Sequence, residues 1–383
     1  MLRSIIVIKQ DQCGEENSGA GQIYCGCGTS VDSKPWFAGW IDTSAGRVPR
    51  VSTEFGWQDF LGAVRVRLNI GRMEYSIPPG LYAVGNPDTS SPVLVSANYK
   101  LSFDSLRREL TSIDAWILVL DTKGVNVWCA AGKGTFGTGE VINRVRVSGV
   151  EKIVIHRNLI LPQLSAPGVA AHVVKKECGF SVVYGPVRAS DIKTFLKNGM
   201  HATPELRRVE FNLIDRMVAV PVELVQWFSW LLLLSLLMLG LSGVEKGGYS
   251  CSPVFVRGGC AVAMIVAAYL AGGIVTPCLL PWLPGRAFSL KGFWVGLALW
   301  AMFLTRDTLL VPGGNTRMAA LAFLLIICAI TSFMAMNYTG TSTFTSQSGV
   351  KKEMRFAVPL QIAALVAGVC LWVMSGIFFT QGL

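Results

Sequence analysis

From Leu224 to the C-terminus the chain is a series of long apolar runs, and this limits the fold more than any other feature. Leu224–Val244, Gly258–Gly285, Met318–Asn337 and Phe356–Leu383 contain no Asp, Glu, Lys or Arg. Each is long enough to cross a hydrocarbon core as a helix, which takes about 20 residues. Gly292–Thr305 is shorter, but Lys291 and Arg306 flank it and can reach the interface from its ends. We read five membrane helices, at about 222–244, 256–282, 289–311, 317–337 and 356–380.

The apolar character is uneven. The 383 residues are 51% hydrophobic and 15% charged, and most of the charge lies before Arg216. "MLRSIIVIKQDQCGEENSG" has too short an apolar stretch for a secretory signal, and no small-residue cleavage site follows it. The N-terminal part is therefore expected in the cytoplasm, on a multi-pass protein of the cell (inner) membrane. Five helices then place Arg286, Lys291, Lys351, Lys352 and Arg355 inside, with Arg207, Arg208 and Arg216 before the first span. The outer connections carry Lys246, Arg257, Arg306 and Arg317, so the positive-inside bias is present but modest. The net charge of +10 suits an anionic bilayer surface. No basic–aromatic motif accompanies it, so nucleic acid is not expected.

Three segments are expected: a polar N-terminal tail with a Trp/Gly-rich lead-in (1–56), an α/β domain (57–215) and an all-α membrane domain (216–383). Within the second, strand and helix signals alternate. "GLYAVGN", "SPVLVSAN", "AWILVLD", "KIVIH" and "SVVYG" read as strands. "SFDSLRRELTSI", opened by a Ser or Asp cap, "TGEVINRVRV", "PGVAAHVVKKE", with Pro in its first turn, and "ASDIKTFLKNG", closed by Gly199, read as helices. The alternation predicts a mostly parallel sheet with helices on both faces and a ligand over the C-terminal ends of its strands.

"NVWCAAGKGTFGTG" (126–139) sits at such an end, with Cys129 at a strand-to-helix corner. Gly132, Gly134 and Gly137 satisfy G-x-G-x-x-G, the turn that cradles a dinucleotide, but that reading needs an acidic residue closing the next strand. "KIVIH" closes with His156 and Arg157 instead. A phosphate-binding P-loop fails as well, because Gly134 follows Lys133 and no Gly stands at 128. The residues alone leave two readings of Cys129: a nucleophile with Lys133 one helical turn on, or a structural cysteine in a turn. Of the ten cysteines, Cys178, Cys251, Cys260, Cys278, Cys328 and Cys370 read as small buried hydrophobes. Cys13, Cys25 and Cys27 form a looser group in the tail whose spacing matches no zinc or iron–sulfur pattern. His156 and His172 lie in no D-x-H-x-x-G pattern and read as surface or core histidines; His201 lies in a polar linker.

"NVWCAAGKGTFGTGEV" resembles the cap-helix signature of the mercury-methylating corrinoid proteins, membrane-bound relatives of the corrinoid iron–sulfur protein of the acetyl-CoA pathway. "GNPDTSSPVLVSANYKLSFDSLR" (85–107), "LPQLSAPGVAAHVVKKECGFSVVYGPVRASDI" (161–192) and "NYTGTSTFTSQSGVKKEMR" (337–355) are similar to the same family, as is the order of a soluble domain before five spans. The resemblance runs from about Trp57 onward and leaves out the tail. It implies a Rossmann-like corrinoid-binding domain holding base-off cobalamin, with Cys129 as the lower axial ligand of cobalt. A thiolate there is a strong donor, which favours departure of a carbanion-like methyl group toward mercuric ion.

The same resemblance implies that Asn126, Val127, Trp128, Ala130, Gly132, Lys133 and Gly134 line the corrin. Gly132 and Gly134 let the backbone approach a flat macrocycle without a Cβ. Ser96 and Asn98 end a strand beside the site, as hydrogen-bond donors to the corrin or as turn residues. Gly168, Tyr184, Gly185 and Pro186 lie where the nucleotide tail is expected to run. The partners implied are a ferredoxin-like iron–sulfur reductase, a methyltetrahydrofolate-linked methyl donor, mercuric ion as substrate and the lipid bilayer. The expected activity is therefore cobalamin-dependent methyl transfer to mercuric ion. Its rivals are a membrane-bound corrinoid methyl carrier of one-carbon metabolism with another acceptor, and a transporter with a nucleotide-binding head. The scarcity of ionisable residues in the spans argues against the transporter.

Overall fold

The computed structural model describes residues 31–72, 74–305, 316–338 and 347–378. Cys13, Cys25, Cys27, Arg306, Asp307 and the 339–346 part of the last connection lie outside the described residues. Two compact units emerge: residues 31–55 with Ser76–His201, and Gly56–Tyr75 with Ala202–Leu383.

The first unit is built on seven strands: β1 (Phe37–Thr43), β2 (Gly46–Val51), β3 (Gly80–Val84), β4 (Val93–Ala97), β5 (Ala115–Leu120), β6 (Asn158–Leu161) and β7 (Ser181–Tyr184). Their order across the sheet is β1-β2-β3-β5-β4-β6-β7. Pairing is parallel from β5 through β4 and β6 to β7, antiparallel between β3 and β5, parallel again for β2 with β3, and antiparallel in the β1–β2 hairpin. Every residue of β3, β4 and β5 is buried, the pattern of strands covered on both faces.

Helix α1 (Trp57–Arg67) belongs to the second unit. The helices of the first are α2 (Lys100–Glu109), α3 (Val127–Lys133), α4 (Thr138–Ser148), α5 (Val150–Ile153), α6 (Ala171–Cys178) and α7 (Ile192–Lys197). α4 packs on β5 and beside α6, while α2 packs on β4 and residues 189–191. The buried polar centre of this unit is on α2. Asp104 accepts from Lys100 Nζ at 2.6 Å and from Arg107 Nε at 2.8 Å. Arg107, wholly buried, also donates from Nη1 to the Ser52 and Glu54 carbonyls.

Several local expectations shift. "KIVIH" is not a strand: Gly149, in the left-handed region, ends α4, the short α5 follows, and pairing begins only at Asn158. Ile155 is left 75% exposed, whereas Leu159, Ile160 and Leu161 are buried. A short apolar run carries no period that separates the two choices. α2 starts at Lys100 with Tyr99 as its cap, because Asp104 is taken by the ion pairs and cannot cap. α6 starts at Ala171, so Pro167 is outside it. The segment read as a polar lead-in to the α/β domain instead forms the β1–β2 hairpin, which extends the sheet.

In the second unit, α8 (Pro204–Arg207) precedes α9 (Leu213–Ser242). A two-residue-strand hairpin, β8 (Val244–Glu245) and β9 (Gly248–Tyr249), leads into the helical stretch Val254–Leu279. That stretch holds α10 (Gly259–Leu270) and α11 (Thr276–Leu279), with π-turns at Val254–Gly258 and Ala271–Val275. The second π-turn comes just before Pro277, which has no N–H to continue the ladder. Then follow α12 (Phe288–Leu304), α13 (Thr316–Asn337) and α14 (Gln347–Ile377). Four helices, Leu213–Ser242, Val254–Leu279, Arg317–Asn337 and Gly349–Ile377, are long and apolar enough to cross a membrane; α12 is shorter.

α9 and α14 begin well before their apolar runs. At α9 the Asp215 amide donates to Asn212 Oδ1 at 3.0 Å and the Asn212 amide to Asp215 Oδ2 at 3.3 Å, a reciprocal cap. Arg216 Nη1 then donates to the Pro277 and Cys278 carbonyls, both at 3.0 Å, at the end of the neighbouring helix. α13 is the centre of the unit, with 61% of its apolar stretch buried against 11% for α9 and 17% for α14. Glycines set its closest approaches. A Cβ on Gly292 would stand 2.4 Å from the Thr331 carbonyl oxygen, and one on Gly296 would stand 3.0 Å from Cys328 Cα. This is the small-xxx-small seam by which helices associate in lipid. α1 shows Trp57, Phe60 and Leu61 outward while Ala63 and Val66 pack inward.

Candidate functional site

The direction of the sheet changes around β4: β5 follows it on one side and β6 and β7 on the other. In such sheets ligands sit beyond the C-terminal ends of the strands at that point. Those ends are Ser96–Asn98 after β4, Asp121–Gly124 after β5, Pro162–Gln163 after β6 and Gly185–Pro186 after β7. α3 reaches back over this edge, touching β4 and packing on the turn Gln163–Ser165.

The loop that launches α3 is tightly specified. Asn98 Oδ1 accepts from the Thr122 amide (3.1 Å), the Thr122 hydroxyl (2.8 Å) and the Gly124 amide (3.0 Å). Thr122 Oγ1 also lies 2.7 Å from the Val125 carbonyl. Lys123 and Gly124 both have positive φ, which allows the chain to reverse there. Asp121 takes Lys123 Nζ at 2.6 Å. Burial pushes this carboxyl up, but hydrogen bonds and charge from Lys123, helped by Arg144, outweigh it and hold Asp121 below the usual carboxylate value. Glu140 on α4 accepts from the Asp121 amide at 2.9 Å and pairs with Arg144 at 2.8 Å.

Asn126 caps α3, its Oδ1 accepting from the Cys129 amide at 2.9 Å. Asn126, Val127, Trp128 and Cys129 are half-buried, Ala130 is buried, and Gly132, Lys133 and Gly134 are exposed. Gly134 ends the helix in the left-handed region at φ 82°, and a Cβ there would meet nothing within 4 Å. One face of this corner is therefore open. The other is closed: a Cβ on Gly168 would stand 2.4 Å from the Phe136 carbonyl oxygen and 3.0 Å from Ala131 Cα, so the 163–168 loop lies directly on α3. The Ala170 amide donates to Thr138 Oγ1 at 2.8 Å, and the Tyr184 hydroxyl to the Val169 carbonyl at 2.6 Å. Burial pushes the Tyr184 hydroxyl pKa up. Gly185 lies close enough to Ile160 that a Cβ would stand 3.2 Å from its Cγ2.

The strand ends thus gather Ser96, Asn98, residues 126–134, Gly168 and Tyr184–Pro186 along one edge of the sheet. Ser96 and Asn98 are both buried, and Asn98 shapes the loop. His156 is placed elsewhere: its Nε2 lies 2.9 Å from the Ser91 carbonyl, and the Asn158 amide donates to its Nδ1. Among the described residues no group of three or more His, Cys, Asp or Glu side chains could hold a metal ion. The sequence did not point to Thr122 or Gln163. Gln163 Oε1 is buried at the end of β6 without a hydrogen-bond partner. It was hidden because "KIVIH" had been read as the strand; the true strand runs into Pro162 and Gln163, again with no acid to hold a ribose.

Comparison with known proteins falls on this unit. Residues 71–196 match the family of the CO dehydrogenase/acetyl-CoA synthase delta subunit. The gamma subunit of the acetyl-CoA decarbonylase/synthase complex of Methanopyrus kandleri is 37% identical over 132 residues, 33% of this chain and 27% of that protein. The Archaeoglobus fulgidus gamma subunit is 32% identical over 139 residues, 35% of this chain and 29% of its own length. That of Methanocaldococcus jannaschii is 31% identical over 129 residues, covering 33% and 26%. The chain thus spans little more than a quarter of the length of these relatives.

These relatives correct the expectation drawn from the cap-helix signature. They are subunits of an acetyl-CoA complex and not mercury methylators, so neither the mercury-methylating family nor methyl transfer to mercuric ion stands. Cys129 and its neighbours lie within the matched residues 71–196. The carrier of one-carbon metabolism, given above as a rival, agrees better with them.

Proposed function

We propose that the chain is a membrane-anchored corrinoid protein that carries methyl groups in one-carbon metabolism related to acetyl-CoA synthesis. The observation that carries this reading is the edge of the sheet at β4. A half-buried cysteine on a short helix stands there beside an open glycine corner, within a unit similar to acetyl-CoA decarbonylase/synthase subunits. The residues suit a large flat cofactor. Gly134 leaves open space, Gly168 and Gly185 let loops close tightly around the edge, and Gln163 Oε1 is an acceptor still without a donor. Bound corrinoid supplies a cobalt centre able to accept and release a methyl group.

In this reading the Cys129 thiol would hold the cobalt of a bound cobalamin, and Asn126 caps the first turn of α3 so that the thiol is presented at a fixed place. Val127, Trp128, Ala130, Gly132, Lys133 and Gly134, with Ser96 and Asn98, would hold the corrin. Asn98 acts chiefly by shaping the 121–124 loop, its Oδ1 already accepting three hydrogen bonds. Gly168, Tyr184, Gly185 and Pro186 flank the nucleotide tail. α12 joins the four long helices as a fifth span, held by its glycine seam, and the α/β unit faces the cytoplasm. A ferredoxin-like iron–sulfur protein serves as reductant and a methyltetrahydrofolate-linked protein as methyl donor.

Titration of the purified full-length protein in detergent with aquocobalamin tests the reading. The expected result is binding near one-to-one with a spectrum distinct from the free cofactor, and no saturable binding of NAD. Cys129→Ala should fold normally and bind through the remaining contacts, with a shifted visible spectrum. Saturable NAD binding without cobalamin binding would overturn the cofactor, and an unshifted spectrum in Cys129→Ala would overturn the ligand.

A further inference from the structure

Helix α1 and the turn after it lie between β2 and β3 in the sequence, yet they belong to the helical unit. The chain leaves the sheet here, joins the spans and returns. The outward face of α1 is apolar. Trp57, Phe60, Leu61, Val64 and Leu68 recur at i, i+3, i+4, i+7 and i+11, the spacing of one stripe along a helix. None of the five is buried, and the Trp57 and Phe60 rings stack in the open with centroids 5.2 Å apart. Asp59, Ala63 and Val66, on the opposite side, are the buried residues of the helix. A surface helix in water carries its widest apolar stripe inward, so this one is built to meet something other than water.

Its depth and its charges select what that is. α1 packs on α9, and Arg72 just after it lies close enough to the buried Glu223 of α9 for the two charges to attract. Glu223 immediately precedes the uncharged run that begins at Leu224. The segment is therefore held level with the point where α9 enters the apolar layer, the depth at which Trp rings collect in membrane proteins. Val218 and Val225 share a face of α9 on either side of this level and are both exposed, so apolar surface continues from the span to the depth of α1. By helical periodicity Arg65 and Arg67 fall on opposite borders of the stripe, where their stems can lie along it while the guanidinium groups reach phosphate. Asp59 is the sole acid within 57–72; it is turned inward and accepts from the Gly56 amide at 3.2 Å. The arginine borders also disfavour a second copy of this face, because a two-fold contact would set arginine against arginine.

We propose that α1 is an interfacial anchor lying in the plane of an anionic bilayer surface, its stripe from Trp57 to Leu68 among the upper acyl carbons and Arg65 and Arg67 on lipid phosphates. This rests on the reading of the long helices as membrane spans. The α/β unit is then joined to the bilayer surface by three stretches of chain, at 55–56, 75–76 and 201–202, rather than by the last alone.

The test uses the full-length protein in nanodiscs of mixed phosphatidylcholine and phosphatidylglycerol, with photoreactive p-benzoylphenylalanine in place of Phe60. After irradiation, mass spectrometry of the α1 peptide identifies what it has joined. The expected product is a lipid adduct, enriched in phosphatidylglycerol roughly threefold over its share of the disc. Arg65→Gln combined with Arg67→Gln should return the adducts to the bulk ratio. If the Phe60 replacement does not fold, the same probe in place of Trp57 samples the stripe one turn away. A cross-link to the α/β unit or to a second copy, or no lipid adduct at all, overturns the proposal. Adducts in the bulk lipid ratio with both arginines present overturn the anionic surface as partner. The probe in place of Leu236, exposed on α9, separates these failures from failure of the membrane reading. A lipid adduct there with none at α1 strikes the anchor alone, whereas none at either position removes the spans as well.

Discussion

The two units solve the same packing problem in opposite solvents. In the α/β unit the apolar residues of β3, β4 and β5 are hidden completely, and the two buried cations of α2 share the carboxylate of Asp104. In the helical unit the apolar residues of α9 and α14 are largely displayed, and the buried arginine Arg216 is spent on backbone carbonyls. Burying apolar area drives assembly in water. Between helices in lipid that drive is absent, and close approach at Gly292 and Gly296 replaces it. Both units bury large apolar side chains, Phe323 and Trp372 among them in the helical one, but there the glycines set how closely the helices approach.

The sharpest way to break this comparison is Arg107→Leu. It removes a wholly buried cation together with its bonds to Asp104 and to the Ser52 and Glu54 carbonyls, at a cost of about 3–5 kcal/mol. The α/β unit should lose its cooperative unfolding and its cobalamin binding, while helical content assigned to the spans persists in detergent. Loss of both units together would show that they do not fold independently. Next in size is Gly296→Leu, where overpacking costs about 1–3 kcal/mol. Cys328, buried beneath α12, should then react faster with a maleimide, and cobalamin affinity should not move. Gly168→Ala, compressing the 163–168 loop against α3, should cost less than the leucine change. Its effect should show as weaker cobalamin binding together with a lowered melting temperature of the α/β unit, since the added methyl meets backbone.

The smallest effect is one of pH. The lowered pKa of Asp121 contributes stability that is fully present above the ordinary carboxylate value and is lost as pH falls through the folded-state value. Because Lys123 is largely exposed, its contribution is under about 1 kcal/mol. Asp121→Asn should flatten the acid limb of the stability profile slightly, and no change in that limb would remove the ion pair from the account.

Much of the sheet was legible because "AWILVL", "GLYAV" and "VLVSA" are apolar runs too short for helices and bounded by turn residues. "KIVIH" was misread because its apolar residues are equally compatible with a helical turn, and only the pairing of Asn158–Leu161 with β7 and β4 settles the register. Cys129 and its glycines stood out as a motif. Thr122 and Gln163 did not, nor did the loop-shaping bonds of Asn98, because nothing local marks a polar residue whose partner lies on another strand. The mercury expectation failed for a related reason: a short signature is compatible with more than one family, whereas likeness spread over residues 71–196 is more restrictive.

By itself the sequence determined where lipid-length helices fall, since an uncharged run of that length has few other stable environments, and it determined that a glycine-rich corner follows the most apolar strand. The tertiary structure decided what those pieces do together. It brought α3 over the end of β4, turned β3 antiparallel to β5, and made α13 rather than α9 or α14 the centre of the bundle. Hydropathy and periodicity report how each segment meets its solvent, whereas the site and the seam depend on which backbones approach within a Cβ of each other.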